Sequence, residues 1–115
     1  MLGTATFVLP LSGGDVTLNK INQDNYSSEY LYRNTTLQYR IRIRHTETSA
    51  GKERHNLEVV KTTFGTEGAP DVESKFYFVI EHELGDDPTE MVDAVADKVI
   101  LTTNELIGDL LGKMS

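Results

Sequence analysis

The chain of 115 residues contains no cysteine, 38% hydrophobic residues and a formal net charge of −7. This length suits a single domain over residues 1–115, and the lack of thiols excludes a disulfide scaffold, a structural thiolate zinc site and a cysteine nucleophile. The longest nearly apolar stretch, residues 7–11, is too short to span a bilayer, so we expect no membrane partner.

The charge is distributed unevenly along the chain. Residues 1–61 contain eight Lys or Arg against six Asp or Glu, a balance of +2, whereas residues 62–115 contain three Lys against twelve acids, a balance of −9. A negative total, taken alone, argues against a nucleic-acid partner. Because the arginines cluster in a short window, the placement of the charges matters more than their sum.

The N-terminal region predicts short strands. Residues 4–9 and 16–18 are rich in β-forming side chains and are separated by Ser-Gly-Gly-Asp, which predicts a β-hairpin. Residues 19–28 are polar and rich in Asn, Ser and Asp, so they predict a loop, and residues 29–33 predict a short aromatic strand.

Residues 37–45, LQYRIRIRH, give the clearest strand pattern in the chain. Side chains alternate between the two faces of a strand, so three arginines share one face and the apolar residues share the other. The three arginines are Arg40, Arg42 and Arg44. Beyond this strand we predict a polar connection over 46–54, a strand over 56–62, a loop over 63–74 and a strand over 75–84.

The hydrophobic period changes near the C-terminus. Asp87 as N-cap and Pro88 at the first helical position predict a helix start, and apolar residues follow at helical spacing. Residues 102–105 predict a second cap, and another apolar stripe extends to Met114. The order of elements predicts an α+β fold, with a run of antiparallel strands and two C-terminal helices packed on one face.

Because two helices leave sheet edges uncovered, we expect an obligate homodimer.

The arginine stripe is the strongest functional candidate, because guanidinium groups bind phosphates bidentately and phosphates repeat at a comparable spacing along a nucleic-acid strand. The alternative is a solvated face in which these arginines pair with Glu58, Glu81 or Glu83 across the sheet. Tyr77 could stack on an unpaired base, although a cross-strand packing role is the simpler interpretation.

Nothing in the sequence indicates catalysis or a resident cofactor. His45, His55 and His82 lack the spacing that presets two metal ligands, so we predict ordinary surface or rim histidines. No serine has a His/Asp partner pattern, and no glycine-rich phosphate loop is present.

The order of these motifs resembles the coat proteins of single-stranded RNA bacteriophages, the levivirus family. FVLPLSGGDVTL is similar to that family's N-terminal hairpin, SSEYLYRN to its short aromatic strand, and YRIRIRH with KERHNLEVV to its central hairpin. KFYFVIEHELGDDPTEMVDAVADKVILTTNELIGDLL resembles the final strand, the acidic cap and the two C-terminal helices.

The resemblance implies that two chains pair edge to edge into one continuous sheet, with each chain's helices over the partner. Dimers would then build a quasi-equivalent icosahedral shell that packages single-stranded genomic RNA, in a virion assembled in the bacterial host cytoplasm. It also implies that the sheet binds an RNA operator hairpin as a translational repressor.

The resemblance further assigns residues by matching strand parity. It places Arg40, Arg42, Arg44, Thr46, Asn56, Lys75 and Tyr77 on the RNA-facing side, and it makes Gly65, Gly68 and Pro70 part of an inter-dimer loop. Glu58 and Val60 stand where the family often has polar or basic contacts, which puts sequence-specific hairpin binding in doubt.

Two other functions share some of these features. One is a small dimeric RNA-binding regulator that uses the arginine face without forming a shell. The other is a dimeric α+β ligand-binding domain, which would need a polar group such as His45 or His82 between sheet and helices.

Overall fold

A computed structural model describes residues 5–101 and 103–113, which form six strands followed by two helices. The strands lie side by side in chain order as one antiparallel meander. They are β1 (Thr6–Leu11), β2 (Gly14–Gln23), β3 (Ser27–Arg33), β4 (Leu37–Glu47), β5 (Lys52–Thr63) and β6 (Val72–Glu83). The helices are α1 (Thr89–Val99) and α2 (Glu105–Leu111). The predicted α+β class, an antiparallel meander followed by two C-terminal helices, is confirmed. The continuous sheet of a dimer and the packing of the helices on one face stay predictions.

The N-terminal hairpin is confirmed, with Leu9 opposite Val16 in the register of β1 and β2. Its turn is tighter than predicted, because Leu11 pairs with Gly14, whose φ of 125° lies in a region that only glycine adopts readily. The predicted start at Thr4 lies outside the described residues.

The predicted loop over residues 19–28 is wrong. β2 continues to Gln23 and β3 begins at Ser27, so only three residues separate them. Asp24 Oδ1 closes this turn by accepting hydrogen bonds from the backbone N–H groups of Tyr26 at 2.8 Å and Ser27 at 2.7 Å. Polar composition suggested a loop, but pairing with β3 satisfies the backbone of these residues and overrides that preference.

The central hairpin is longer than predicted at both sides of its turn. The expected connection over 46–54 shrinks to residues 48–51, because β4 continues to Glu47 and β5 begins at Lys52. The Thr48 backbone N–H donates to the Lys52 carbonyl at 2.8 Å and closes the turn. Gly51, with a φ of 79°, supplies the left-handed residue that the turn requires.

The core lies on one face of the sheet. Its buried residues come from β2, β3 and β4, and residues opposite one another in the register, such as Tyr30, Ile41 and Val59, share this face. The buried set is Leu18, Tyr30, Tyr39, Ile41 and Ile43. Half-buried apolar side chains pack around it, namely Phe7, Leu9, Val16, Tyr32, Leu37, Leu57 and Val59. The alternation predicted for β4 is therefore confirmed.

Residues through Glu81 form one compact unit, and the residues from His82 onward form a second. In the second unit neither helix has a buried residue. The prediction that Asp87 is the N-cap is wrong by one residue, because Pro88 occupies that position. Asp87 acts just before the helix instead, where its Oδ1 accepts hydrogen bonds from the backbone N–H and the hydroxyl of Thr89.

The second helix begins after Asn104, which has a φ of 52° and makes no side-chain cap. Thr102 of the predicted cap and Met114 of the predicted stripe lie outside the described residues.

No helix in the described part of the chain is long and apolar enough to cross a membrane.

Candidate nucleic-acid interface

The strand register places all five arginines of the chain on one face of the sheet. Arg40, Arg42 and Arg44 alternate along β4, as predicted. On the neighbouring strands, Arg33 is paired with Gln38 and Arg54 is paired with Thr46, and both of those β4 positions share the parity of the three arginines. Directly opposed residues of an antiparallel pair project to the same side. We call this side the arginine face.

Charge is segregated between the two faces of β3, β4 and β5. By strand parity, the arginine face of these strands holds six basic residues, the five arginines and Lys52, against two acids, Glu29 and Glu58. The opposite face holds one basic residue, Lys61, against two acids, Glu47 and Glu53. The arginine face is therefore a basic surface on a chain that is acidic overall.

One carboxylate lies between two of the arginines. Glu29 Oε1 lies 3.1 Å from Arg40 Nε and 3.4 Å from Arg42 Nε, and all three side chains are partly shielded from solvent. Two arginines of the stripe therefore do pair with an acid on a neighbouring strand, but this acid is Glu29 and was not among the predicted partners. Glu58 is opposite Arg42 in the register, but Glu29 is the acid that forms both ion pairs. Arg44 is exposed and forms no ion pair with any described residue.

A polar depression of about 290 Å³ lies beside the unpaired end of the stripe. It is lined by Asn22, Ser27, Ser28, Glu29, Arg42 and Arg44. Its rim combines two guanidinium groups and the Glu29 carboxylate with neutral hydroxyl and amide groups. The guanidinium and neutral groups suit phosphate and sugar oxygens.

Several of the predicted RNA-facing residues lie together on the arginine face. Asn56 is opposite Arg44, and Thr46 is opposite Arg54. Glu58 and Val60, the two departures from the family pattern, are opposite Arg42 and Arg40 on the same face. Arg33, Arg54 and Glu29 were not predicted as part of this face, because each belongs to it only through the register of a neighbouring strand.

Arg33 is held differently from the other arginines. Its guanidinium carbon lies 5.0 Å from the centre of the Phe64 ring, a cation–π distance. Phe64 N in turn donates to the Thr36 carbonyl at 2.9 Å, which ties the start of the loop after β5 to the turn between β3 and β4. Arg33 is thus anchored at the edge of the basic surface.

Lys75 and Tyr77 lie on β6, and both side chains are exposed. Phe76 and Phe78 share one face of this strand, with ring centres 6.4 Å apart, so Lys75 and Tyr77 project from the other face. That they line the RNA-facing side together with the arginines stays a prediction.

The loop between β5 and β6 contains Gly65, Gly68 and Pro70 and is shorter than predicted, residues 64–71. The Gly65 backbone N–H donates to Asp71 Oδ1 at 2.7 Å, which closes the loop. A Cβ at Gly65 would lie 2.1 Å from the Ala69 carbonyl oxygen, so the closed form needs glycine there. The role of this loop between dimers stays a prediction.

The family model described as "Phage phiCb5, coat protein" matches residues 4–83 of the chain. The chain belongs to this coat protein family. No curated protein sequence matches it. As a phage coat protein, it is a structural component of the capsid, and so of the virion.

Solved structures of other phage coat proteins share the fold of this coat protein. The bacteriophage EMS014 coat protein has a TM-score of 0.67 at 13% identity, over 82% of this chain and 70% of its own. An unassembled virus coat protein dimer, described as a bacteriophage RNA-binding dimer, has a TM-score of 0.63 at 18% identity, over 96% and 94%. The bacteriophage GA protein capsid has a TM-score of 0.57 at 19% identity, over 96% and 95%.

Proposed function

We propose that this coat protein forms a homodimer, assembles into an icosahedral T=3 shell in the bacterial cytoplasm, and packages single-stranded RNA against the arginine face. Its role is structural rather than enzymatic. The observation that carries the proposal is the placement of all five arginines on one face of β3, β4 and β5. An acidic total charge and a basic RNA-binding surface are compatible when the charges are separated in this way.

The arginine face suits the sugar-phosphate backbone. Alternate residues on a strand are about 7 Å apart, which is comparable to the phosphate spacing along a single nucleic-acid strand. Arg44 and Arg54 are exposed and form no ion pair with any described residue, so these two arginines are the most available to phosphates. These contacts are independent of base sequence, which suits packaging of a whole genome.

Dimerisation is supported by the exposed apolar residues of β6, the last strand in the sheet order. Phe76 and Tyr77 are each 60% exposed and project from opposite faces of this strand, and Phe78 is also exposed. A long sheet edge that carries exposed apolar side chains pairs readily with another chain. Exposed apolar residues on the helices point to the same need for a partner, namely Met91, Val95, Leu110 and Leu111. The relatives described as a dimer and a capsid are consistent with this arrangement.

Binding of one operator hairpin as a translational repressor is the second part of the proposal. The polar depression next to Arg42 and Arg44 offers amide and hydroxyl groups that could discriminate between bases. Glu58 and Val60, which lie on the same face, limit the number of favourable contacts. We therefore expect a modest preference for a hairpin above a strong general affinity.

Expression of the full chain in bacteria, followed by size-exclusion chromatography and electron microscopy, tests the proposal. We expect particles tens of nanometres across whose absorbance shows nucleic acid, and nuclease treatment of intact particles should leave the RNA protected. A small dimer that binds RNA but forms no particles would favour the regulator alternative. A dimer that binds no RNA would favour the ligand-binding alternative, and either result would contradict the packaging proposal.

A further inference from the structure

The end of the β4–β5 hairpin nearest its turn brings two histidines together on the face opposite the arginines. His45 is directly opposite His55 in the register. Their Nδ1 atoms lie 2.8 Å apart, and the rings meet edge to face with centres 5.1 Å apart. The ten-residue separation between them in the sequence conceals this pairing, which is why spacing alone indicated no ligand pair.

Two carboxylates occupy the next position of the same face. Glu47 is directly opposite Glu53, two register pairs closer to the turn. Like charges in directly opposed positions destabilise an antiparallel pair, and a cation beside them removes that repulsion. Glu53 Oε2 also lies 3.8 Å from His55 Nε2, so a carboxylate faces the ring nitrogen that is not used in the histidine pair.

We propose that His45 Nδ1 and His55 Nδ1 bind a divalent transition-metal ion, with Zn²⁺ as the representative. Imidazole nitrogens bind zinc at about 2.0–2.1 Å, so two ligands at the tetrahedral angle stand about 3.3–3.4 Å from each other. The observed separation of the two Nδ1 atoms, 2.8 Å, is shorter. The two rings must therefore move apart by about half an ångström to place both lone pairs on one ion.

When both rings are neutral, metal binding requires one of them to change its tautomer, and the pair as a whole loses no proton. In the hydrogen-bonded pair one Nδ1 carries the proton, and on metal binding that proton passes to the Nε2 of the same ring. With the metal bound, the Nε2–H of His55 faces the Glu53 carboxylate. This carboxylate–histidine–metal order is the arrangement that fixes the ring and raises the basicity of the ligand. Glu53 is thus a positioning residue in the proposed site.

The surroundings leave room for the ion and its remaining ligands. A depression of about 540 Å³ is lined by Tyr26, His45, Thr46, Glu47, Glu53 and His55. Glu47 is exposed at its rim and is the carboxylate available to complete the coordination together with water. The metal ion would link β4 to β5 just before their turn, and so hold the end of the strand that carries Arg40, Arg42 and Arg44.

Calorimetric titration of the purified full chain with ZnCl₂ tests this site. We expect one ion per chain, and we expect His45→Gln and His55→Gln each to weaken binding by at least about tenfold. Glu53→Gln should weaken binding by about tenfold while leaving one ion per chain. Asn56→Ala is the matched control, because it alters the neighbouring residue on the arginine face and should bind zinc like the unmodified chain.

A readout that needs no variant accompanies the titration. On addition of zinc, the ¹⁵N resonances of the Nδ1 atoms of His45 and His55 should shift together in the unmodified chain. Absence of zinc binding, or binding that persists unchanged in either histidine variant, would overturn the proposal. Zinc held only by packaged RNA would give the second of these results, because it would not respond to either histidine.

Discussion

In the proposed RNA interface, Glu29 is the acid that competes with phosphates for two of the arginines. A single carboxylate within 3.4 Å of two guanidinium groups neutralises part of their charge and holds them in place. A phosphate that approaches Arg40 or Arg42 must compete with it, whereas Arg44 has no such competitor among the described residues. If the arginine face binds RNA as proposed, its affinity depends on this acid as well as on the arginines.

We expect Glu29→Gln to bind single-stranded RNA several-fold more tightly, because it frees two arginines for phosphate contacts. Each new contact should steepen the salt dependence of log K by about 0.7. Fluorescence anisotropy with an unstructured RNA at several salt concentrations measures both quantities. Glu90→Gln, which makes the same charge change on α1, serves as the control. An equal gain in both variants would show that net charge, and not the local ion pairs, is responsible.

Asp24 provides a residue-scale test of the turn between β2 and β3. The hydrogen bond from the Tyr26 backbone N–H, followed by those from Ser27, lowers the pKa of this carboxyl below its ordinary value of 3.8. The folded state therefore gains stability from the carboxylate above about pH 4, and loses it as the pH falls through the lowered pKa. A carboxyl titration followed by NMR should give a midpoint below 3.8, and a midpoint at or above that value would contradict the assigned turn.

Among the elements, the strand in which apolar and polar residues alternate strictly was the easiest to predict. In β4 apolar residues alternate with arginines, and the burial of Tyr39, Ile41 and Ile43 confirms the predicted face. The extension of β2 was missed, because its residues from Asn19 to Gln23 are mostly polar and pair with β3 through the backbone. Composition cannot reveal such pairing, which depends on partners elsewhere in the chain.

The need to know the strand register also explains why only part of the arginine face was predicted. Alternation within one strand identified Arg40, Arg42 and Arg44, whereas Arg54 and Glu29 joined the arginine face only through registers with neighbouring strands. The histidine pair was missed for that reason too, since its two members meet across a hairpin whose turn proved shorter than predicted. Register is a property of pairs of strands, and a one-residue shift would have moved these side chains to the other face.

The loop between β5 and β6 offers a test at this scale. Gly65→Ala should force the loop open, because the added Cβ would meet the Ala69 and Pro70 carbonyl oxygens at 2.1 and 2.7 Å. We expect faster hydrogen exchange of the amide at position 65, which otherwise donates to Asp71 Oδ1, and a lower yield of particles. Gly13→Ala is the matched control, since no atom of the described residues lies within 4 Å of the place that its methyl group would take. Normal particles with an opened loop would contradict a role of this loop between dimers.

At the scale of the whole molecule, the net charge of −7 conceals an organised distribution. The arginines, all of which precede Lys61, gather on one face of the sheet, and most of the acids follow in and around β6 and the helices. Five of the described apolar residues are buried, and apolar side chains of β6 and both helices are exposed. These features are what we expect of the proposed dimer, in which a second chain covers them. Both features suit a protein whose working form is an assembly.

The RNA content of purified Arg44→Glu particles, compared with that of Lys61→Glu particles, separates packaging through the arginine face from an effect of net charge alone. Both variants make the same change in net charge, but Arg44 lies on the arginine face and Lys61 lies on the other. Arg44 also avoids a complication of Arg42, whose replacement by Glu would add a third carboxylate beside Glu29 and Glu58.

We expect Arg44→Glu particles to contain less RNA per protein and to release it at lower salt, because a phosphate contact is lost and a repulsion is added. Lys61→Glu particles should retain the RNA content and salt resistance of the unmodified protein. An unchanged RNA content in Arg44→Glu, or an equal loss in both variants, would contradict packaging through the arginine face.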